Sequence, residues 1–312
     1  MTGSTVARAI AARDLRKAYG DTVVLDGIDI DVPAGSVFAL LGPNGAGKTT
    51  AVHVLSTLIP ADGGTAAVAG HDVAIEPDAV RAAIGVTGQF SAVDGLLTGA
   101  ENLRLMADLH HLDRAVVDGR VADLLERFDL VDAATQTTAT YSGGMRRRLD
   151  LAMTLVGDPR VIFLDEPTTG LDPRSRRALW QQVRDLVATG VTIFLTTQYL
   201  EEADQLADRI ALLDGGRIVA EGTPAELKRL VPGGHIRLTF DDPAQLDAAA
   251  LALAGSERDD DALALDVPGG SDIARLRAVL ERLDRDGIAV EGLGIHSPDL
   301  DDVFLAMTGG HR

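Results

Sequence analysis

The sequence predicts an α/β fold whose main domain contains a parallel sheet. Two short apolar runs, 37–41 and 161–164, show no alternation of polar and apolar residues, and a third strand is predicted at 191–197. Unbroken apolar runs of this length are typical of strands buried on both faces, as in parallel sheets. Apolar residues at helical spacing follow the first run, so strands and helices alternate along the chain.

The loop after the first strand predicts a site for a nucleoside triphosphate. It fits G-x-x-x-x-G-K-[ST] at Gly42, Gly47, Lys48 and Thr49. Glycines allow positive φ angles and let phosphates approach, and a helix starting near Lys48 aims its free N–H groups at the same charge. Lys48 can reach the phosphates and Thr49 can coordinate Mg²⁺. A chance glycine-rich turn is disfavoured because a strand precedes the loop and a helix follows it.

Two carboxylates end the second apolar run. Asp165 and Glu166 follow a strand of the parallel sheet, and ligands of such sheets bind at the carboxyl ends of the strands. We expect Asp165 to hold Mg²⁺ and Glu166 to polarise the attacking water. The alternative is a helix N-cap before Pro167. Gln198 ends the third strand and is expected at the same edge.

Composition excludes several classes of protein. The chain has 312 residues, a net charge of -18 and no cysteine. Disulfides, thiolate catalysis and cysteine-ligated metal sites are excluded, and the acidity disfavours a protein that binds nucleic acid. No uninterrupted apolar run approaches the roughly 18 residues that span a bilayer. The sequence therefore predicts a cytosolic chain without a transmembrane segment or a leader.

Three further signals are weak by themselves. Tyr19 lies in a predicted polar turn between strands near 9–15 and 23–32, where it either packs partly buried or offers a flat surface to a base. Ser142 before two glycines, at a predicted helix start, can form a second anion site. The run Arg146–Arg148 indicates a helix surface with local salt bridges rather than contact with nucleic acid.

The rest of the chain suggests a helical insertion and a second domain. Apolar residues at helical spacing predict the insertion over 96–135, within a helical subdomain at about 90–150. Beyond a linker, the pattern predicts a small α+β domain. The predicted domains are 1–230 and 231–312, with strands at 235–240, 262–267 and 288–295 and helices at 243–253 and 272–285. We favour a dimer-stabilising or regulatory role for the second domain over an inert extension.

Residues 1–230 resemble the nucleotide-binding domain of an ATP-binding-cassette (ABC) transporter. The resemblance rests on motifs in the family's order: Gly42–Thr49 as Walker A, Gln89 as the Q-loop, Ser142–Gly144 as the signature, Val161–Glu166 as Walker B and Gly170–Asp172 as the D-loop. It implies a P-loop NTPase fold with a helical insertion and an antiparallel β subdomain. The stretch 195–200 and the ending at 297–309 are similar to the daunorubicin/doxorubicin-type drug exporters.

The resemblance also implies a set of site residues. Glu166 and Gln198 would be catalytic, and Thr49, Gln89 and Asp165 would hold Mg²⁺. ATP would be bound by Tyr19, Gly42, Pro43, Asn44, Gly45, Ala46, Gly47, Lys48, Thr49, Thr50, Gln89, Ser142, Gly143, Gly144 and Asp172. One residue departs from the family pattern, because Gln198 stands where His is usual. A Gln amide can donate a hydrogen bond to the γ-phosphate but cannot titrate.

The implied function is that of the ATPase subunit of an exporter. Two copies would pair head to tail, with ATP between Walker A of one and the signature of the other. The homodimer would lie on the cytoplasmic face of the cell membrane, bound to a separate membrane permease, and drive efflux of a hydrophobic, anthracycline-like drug. The alternatives are export of a lipid or polysaccharide, and a soluble ABC ATPase acting on ribosomes or DNA. The sequence shows neither a second cassette nor long coiled coils, which are typical of the soluble class.

Overall fold

The computed structural model describes residues 7–88, 92–231, 234–268, 273–296 and 298–308. The chain divides into two compact units, Met1–Pro224 and Ala225–Arg312. Each unit has a hydrophobic core of its own.

The first unit contains ten strands and seven α-helices in its described residues. The strands are β1 (Arg8–Tyr19), β2 (Thr22–Pro33), β3 (Val37–Leu41), β4 (Gly63–Val68), β5 (His71–Asp72), β6 (Ile84–Thr87), β7 (Val161–Asp165), β8 (Thr192–Thr197), β9 (Arg209–Asp214) and β10 (Arg217–Gly222). The helices are α1 (Lys48–Leu55), α2 (Pro77–Ala83), α3 (Gly99–Leu109), α4 (Arg114–Arg127), α5 (Gly143–Thr154), α6 (Pro173–Ala188) and α7 (Leu200–Leu206).

The larger sheet of this unit confirms the predicted parallel sheet. Its order is β10-β9-β3-β8-β7-β6, and all neighbours are parallel except β10 and β9. Every residue of β3, β7 and β8 is buried, which explains the unbroken apolar runs. Phe194 lies between Phe38 and Phe163, with ring centroids 5.5 Å away on each side. The carboxyl ends of these strands therefore share one edge, where the candidate site lies.

The second sheet of the unit is antiparallel, in the order β2-β1-β4-β5. Strands β1 and β2 are longer than the sequence predicts and pair from Arg8 with Pro33 to Tyr19 with Thr22. The prediction of Tyr19 in the turn was therefore wrong. Tyr19 ends β1, and the turn is Gly20 and Asp21. The polar residues before Tyr19 misled the prediction because one face of this ribbon is solvent-exposed.

The segment between β6 and β7 is mostly helical. Thr98 and Glu101 form a capping box that starts α3, and the Asp113 side chain caps α4. The Tyr141 hydroxyl donates to the Ala133 carbonyl at 2.6 Å, just before α5 begins. This bond anchors the chain at the entrance to α5, the helix that carries the signature residues.

The second unit has a four-stranded antiparallel sheet in the order β12-β13-β11-β14, with helices packed on its apolar face. Its elements are α8 (Pro224–Lys228), which begins at the last residue of the first unit, then β11 (His235–Thr239), α9 (Pro243–Ala252), β12 (Glu257–Asp259), β13 (Ala264–Pro268), α10 (Ile273–Asp286), β14 (Gly292–His296) and α11 (Leu300–Thr308). Helix α8, strand β12 and helix α11 were not predicted from the sequence, and the last strand was predicted to start at 288 rather than 292. Strand β12 has three residues, too few for a periodicity.

Candidate functional site

The phosphate loop connects β3 to α1, and its glycines are required by close contacts. Gly47 has φ 110°, and a Cβ there would lie 2.7 Å from the Val24 carbonyl oxygen. A Cβ on Gly42 would lie 2.2 Å from the Leu213 carbonyl oxygen. Neither position tolerates a side chain, so the loop is built tightly against its neighbours. The first turn of α1 then presents free N–H groups at the loop.

Lys48 is the first residue of α1 and is only 4% exposed. Its ammonium donates to the Gly42 carbonyl at 2.8 Å and the Pro43 carbonyl at 3.1 Å. It also lies 3.4 Å from the Glu166 carboxylate. The cation is thus held inside the loop, facing the carboxyl end of β7. A buried ammonium with these partners can exchange them for phosphate oxygens, which are strong acceptors.

Two hydroxyls surround the carboxylate of Asp165, which is buried. Thr49 Oγ1 donates to Asp165 Oδ2 at 2.9 Å, and Thr196 Oγ1 donates to Asp165 Oδ1. A carboxylate and a threonine hydroxyl at this separation form the hard-oxygen set that Mg²⁺ prefers. The chain therefore places two such oxygen groups next to each other where β7 meets α1.

Glu166 adopts a strained backbone conformation, with φ 47°. The left-handed region costs a non-glycine residue about 1–3 kcal/mol and persists where the surroundings enforce it. Here the Glu166 N–H donates to the Thr196 carbonyl at 3.1 Å. Its side chain lies between Lys48 and the Thr169 hydroxyl, which donates to Glu166 Oε2 at 3.3 Å. The alternative of an N-cap at Asp165 and Glu166 is wrong, because Asp172 caps the following helix.

The signature and D-loop residues lie at two helix N-termini that approach each other. Ser142 caps α5 and accepts from the Met145 N–H at 3.2 Å. Asp172 caps α6 and accepts from the N–H and the hydroxyl of Ser175, which lowers the pKa of Asp172. A Cβ on Gly144 would lie 2.6 Å from Ser175 Oγ, so glycine is needed where α5 meets α6. No hydrogen bond in the described part of the chain joins Ser142 to the phosphate loop.

Comparisons with known proteins decide the family. Residues 25–169 match the family described as ABC transporter. The chain is 50% identical over 309 residues to the daunorubicin resistance ATP-binding protein DrrA2 of Streptomyces coeruleorubidus, covering 97% of this chain and 96% of that protein. It belongs to the ATP-binding subunits of ABC transporters.

Other relatives and a solved structure agree. The chain is 50% identical over 308 residues to the daunorubicin/doxorubicin resistance ATP-binding protein DrrA of Streptomyces peucetius, covering 97% and 93% of the two chains. The Nod factor export ATP-binding protein I of Ralstonia nicotianae is 36% identical over 313 residues, covering 96% and 94%. A structure of an ATP-binding subunit of an ABC transporter superposes with a TM-score of 0.64, at 29% identity, over 71% of this chain and 92% of that one. The predicted P-loop NTPase fold is therefore confirmed.

Family membership fixes the basic activity of the chain. This subunit binds ATP and hydrolyses it, and the family implies a membrane permease as its partner. Within the described residues, no helix is both long and apolar enough to cross a bilayer.

The structure brings some of the predicted site residues together and leaves others apart. Lys48, Thr49, Asp165 and Glu166 meet at the carboxyl edge of the parallel sheet. Gln198 follows β8 at the same edge, half-buried, and its side chain makes no hydrogen bond to any described residue. The remaining loop residues differ in exposure: Asn44 and Gly45 are exposed, Pro43 and Thr50 are half-buried, and Ala46 is buried.

Tyr19 lies outside this cluster. Tyr19 is 51% exposed, and Lys17 Nζ lies 5.7 Å from the centroid of its ring. An exposed aromatic face beside a cation is suited to stacking on a base. Gln89, predicted as a Mg²⁺ and ATP ligand, lies outside the described residues.

Sequence reasoning missed Thr196, whose hydroxyl and carbonyl contact Asp165 and Glu166. Its signal was present, because two threonines end strand β8 directly after the apolar run 193–195. Sequence reasoning also assigned Arg147 to a helix surface, which was wrong. The Arg147 side chain is only 11% exposed and pairs with the buried Asp150 at 2.9 Å. The surface position is confirmed for Arg146, and the local salt bridges are confirmed for Arg147 and Arg148.

Proposed function

We propose that this chain is the ATPase subunit of an exporter that removes a hydrophobic, anthracycline-like drug from the cell. The observation that carries the proposal is the 50% identity to daunorubicin resistance ATP-binding proteins, because it extends over 97% of the chain and so includes the second unit. The Nod factor export proteins are the rival, since one of them also spans 96% of the chain, but at 36% identity.

The geometry supports different binding roles for the site residues. The phosphate loop and the Lys48 ammonium would bind the β- and γ-phosphates, and Tyr19 would stack on the base. Thr49 and Asp165 fit Mg²⁺ because their oxygens already lie 2.9 Å apart, and Gln89 would add a third ligand. When bound, Mg²⁺ neutralises charge that develops on the phosphate oxygens.

Hydrolysis itself would depend on Glu166 and Gln198. The Glu166 carboxylate would accept a proton from the attacking water. Lys48, now 3.4 Å from that carboxylate, would turn to the phosphates, which frees the carboxylate for the water. Gln198 would donate from its amide to the γ-phosphate and orient it.

A second copy of the chain would complete the site. The free N–H groups at the start of α5 and the Ser142 hydroxyl form an anion site that is not joined to the phosphate loop of its own chain. Head-to-tail pairing would place them, with the D-loop residue Asp172, on the γ-phosphate bound by the partner copy. The dimer would lie on the inner face of the membrane, held there by the permease.

A transport assay tests this function. Inside-out vesicles are prepared from cells that express the chain together with the polytopic membrane protein that copurifies with it. Doxorubicin fluorescence should fall on addition of ATP as the drug is accumulated, and vesicles with Lys48→Ala should show no change. Vesicles with full ATPase activity and no uptake would contradict drug export. Recovery of ribosomal proteins or DNA in place of a membrane protein would contradict transport altogether.

A further inference from the structure

Helix α5 carries a buried ion pair one turn beyond its signature end. Arg147 Nη1 and Asp150 Oδ2 are 2.9 Å apart, and their side chains are 11% and 3% exposed. The neighbouring arginine, Arg148, points instead to Asp129, whose side chain is 94% exposed. Removing two charges from water costs free energy that their attraction recovers only when further hydrogen bonds are made. This buried pair therefore needs additional contacts.

Those contacts lie at the ends of two strands of the parallel sheet. Arg147 Nε donates to the Pro167 carbonyl at 2.8 Å, just after β7, and Nη1 donates to the Gly88 carbonyl at 3.2 Å, just after β6. Asp150 Oδ1 accepts from the Ala92 N–H at 3.0 Å. A guanidinium has a rigid fork of donors, which suits it to hold two carbonyls in fixed positions.

The positive charge of Arg147 interacts favourably with the buried carboxylates around it. Burial lowers the pKa of Arg147, while the negative charges of Asp150, Glu202 and Asp165 oppose that shift. Arginine nevertheless keeps its charge. Its Nη2 is buried and has no hydrogen-bond partner in the described residues. The Arg147 guanidinium is therefore held in a buried position. Its desolvation costs free energy that an apolar side chain at this position would not cost.

We propose that Arg147 is a positioning residue for ATP hydrolysis, which holds the strained backbone of Glu166 and ties it to the signature helix. Hydrogen bonds fix the backbone on both sides of Glu166. The Thr196 carbonyl accepts from the Glu166 N–H, and Arg147 donates to the carbonyl of Pro167, the next residue. Contacts of this kind keep a non-glycine residue in the left-handed backbone conformation. Because Arg147 lies on α5, a shift of the signature end is transmitted to the carboxylate. This inference rests on the proposed role of Glu166.

The cavity next to Glu166 supports this role. A cavity of about 210 Å³ is lined by Glu166, Pro167, Gly143 and Arg147, among others. Loss of the guanidinium would enlarge this space and release the Pro167 carbonyl, so the carboxylate could leave its position. Displacement of a catalytic group by about 1 Å can cost about a hundredfold in rate.

The test compares Arg147→Met with Arg148→Met in the full-length chain. Arg147→Met should lower kcat by about tenfold to a hundredfold, with Kd for ATP within about threefold, because the phosphate contacts of Lys48 remain. The kcat of Arg147→Lys should lie between those of Arg147→Met and the unmodified protein, since an ammonium lacks the planar fork of donors. Arg148→Met should stay within about twofold of the unmodified protein, since Arg148 bonds to Asp129 and the Phe128 carbonyl and not to the described segment that follows β7. Assays are run well below the unfolding midpoint of each variant.

A double-mutant cycle separates positioning from general destabilisation. In the Glu166→Gln background, Arg147→Met should lower the residual turnover by less than about twofold, since the group it positions is gone. The inference would be overturned if Arg147→Met lowered turnover by the same factor with Glu166 and with Gln at position 166. It would also be overturned if neither Arg147→Met nor Arg147→Lys lowered turnover. If Glu166→Gln alone keeps full turnover, the proposed role of Glu166 is wrong, and the inference falls with it.

Discussion

The hydroxyl of Thr49 lies 2.9 Å from the carboxylate of Asp165, although 116 residues separate them in sequence. The first belongs to the opening turn of α1 and the second to the last residue of β7. They meet because parallel strands end at a common edge, where the helix after β3 also begins. The pair is therefore a product of the fold rather than of local sequence.

Asp165→Asn should raise the Mg²⁺ requirement of the ATPase. The amide oxygen can accept from one of the hydroxyls of Thr49 and Thr196, and the amide N–H can donate to the other, so the fold should persist. The negative charge that attracts the cation is lost. We expect the Mg²⁺ concentration for half-maximal turnover to rise by about tenfold or more. The measurement is ATPase rate against Mg²⁺ at constant ATP, and a curve superimposable on that of the unmodified protein would rule out Asp165 as a ligand.

Substitutions at Gln198 test its role at the γ-phosphate. Gln198→Glu places a negative charge beside the phosphate and should lower kcat by about tenfold or more. Gln198→His keeps a donor and should be tolerated. Both variants are compared with the unmodified protein by steady-state ATPase assay at saturating ATP. Equal turnover in all three proteins would show that this side chain takes no part.

The buried carboxylate of Glu202 should make stability depend on pH. Trp180 Nε1 donates to Glu202 Oε1 at 3.0 Å, and burial raises the pKa of Glu202. The folded state therefore binds this proton more tightly than the unfolded state. The stabilisation from that proton is complete below the unfolded pKa and is lost as pH rises through the folded pKa.

Glu202→Gln should remove this dependence, because the amide stays neutral. Its free energy of unfolding relative to the unmodified protein should increase from pH 5 to pH 8. Urea denaturation followed by Trp fluorescence measures this directly, since Trp180 is the only tryptophan in the sequence and contacts Glu202. A constant difference between the two proteins across this range would show that Glu202 does not titrate on unfolding.

The sequence was sufficient for the parts of the site that have a fixed spacing. Lys48 and Thr49 belong to a loop pattern, and Asp165 and Glu166 follow an apolar strand, so local rules were enough to predict them. Arg147 and Thr196 could not be assigned in the same way. Their partners lie on other elements, and an arginine in a run of three shows no sign of which one is buried.

We propose that ATP is hydrolysed at a site shared by two copies of the chain. Glu166→Gln removes the base but keeps the shape, so ATP should bind and hydrolyse very slowly. The bound ATP should then hold two copies together through Lys48 of one and Ser142 of the other. Ser142→Arg should break this dimer, because a bulky cation replaces the hydroxyl at the start of α5.

The decisive measurement is the dimer fraction of full-length Glu166→Gln by gel filtration with and without Mg-ATP. The shared site predicts a dimer that forms on addition of Mg-ATP and contains two ATP molecules, and a monomer for Glu166→Gln with Ser142→Arg under the same conditions. A Glu166→Gln protein that binds ATP tightly, with the same dimer fraction whether or not the nucleotide is present, would contradict it.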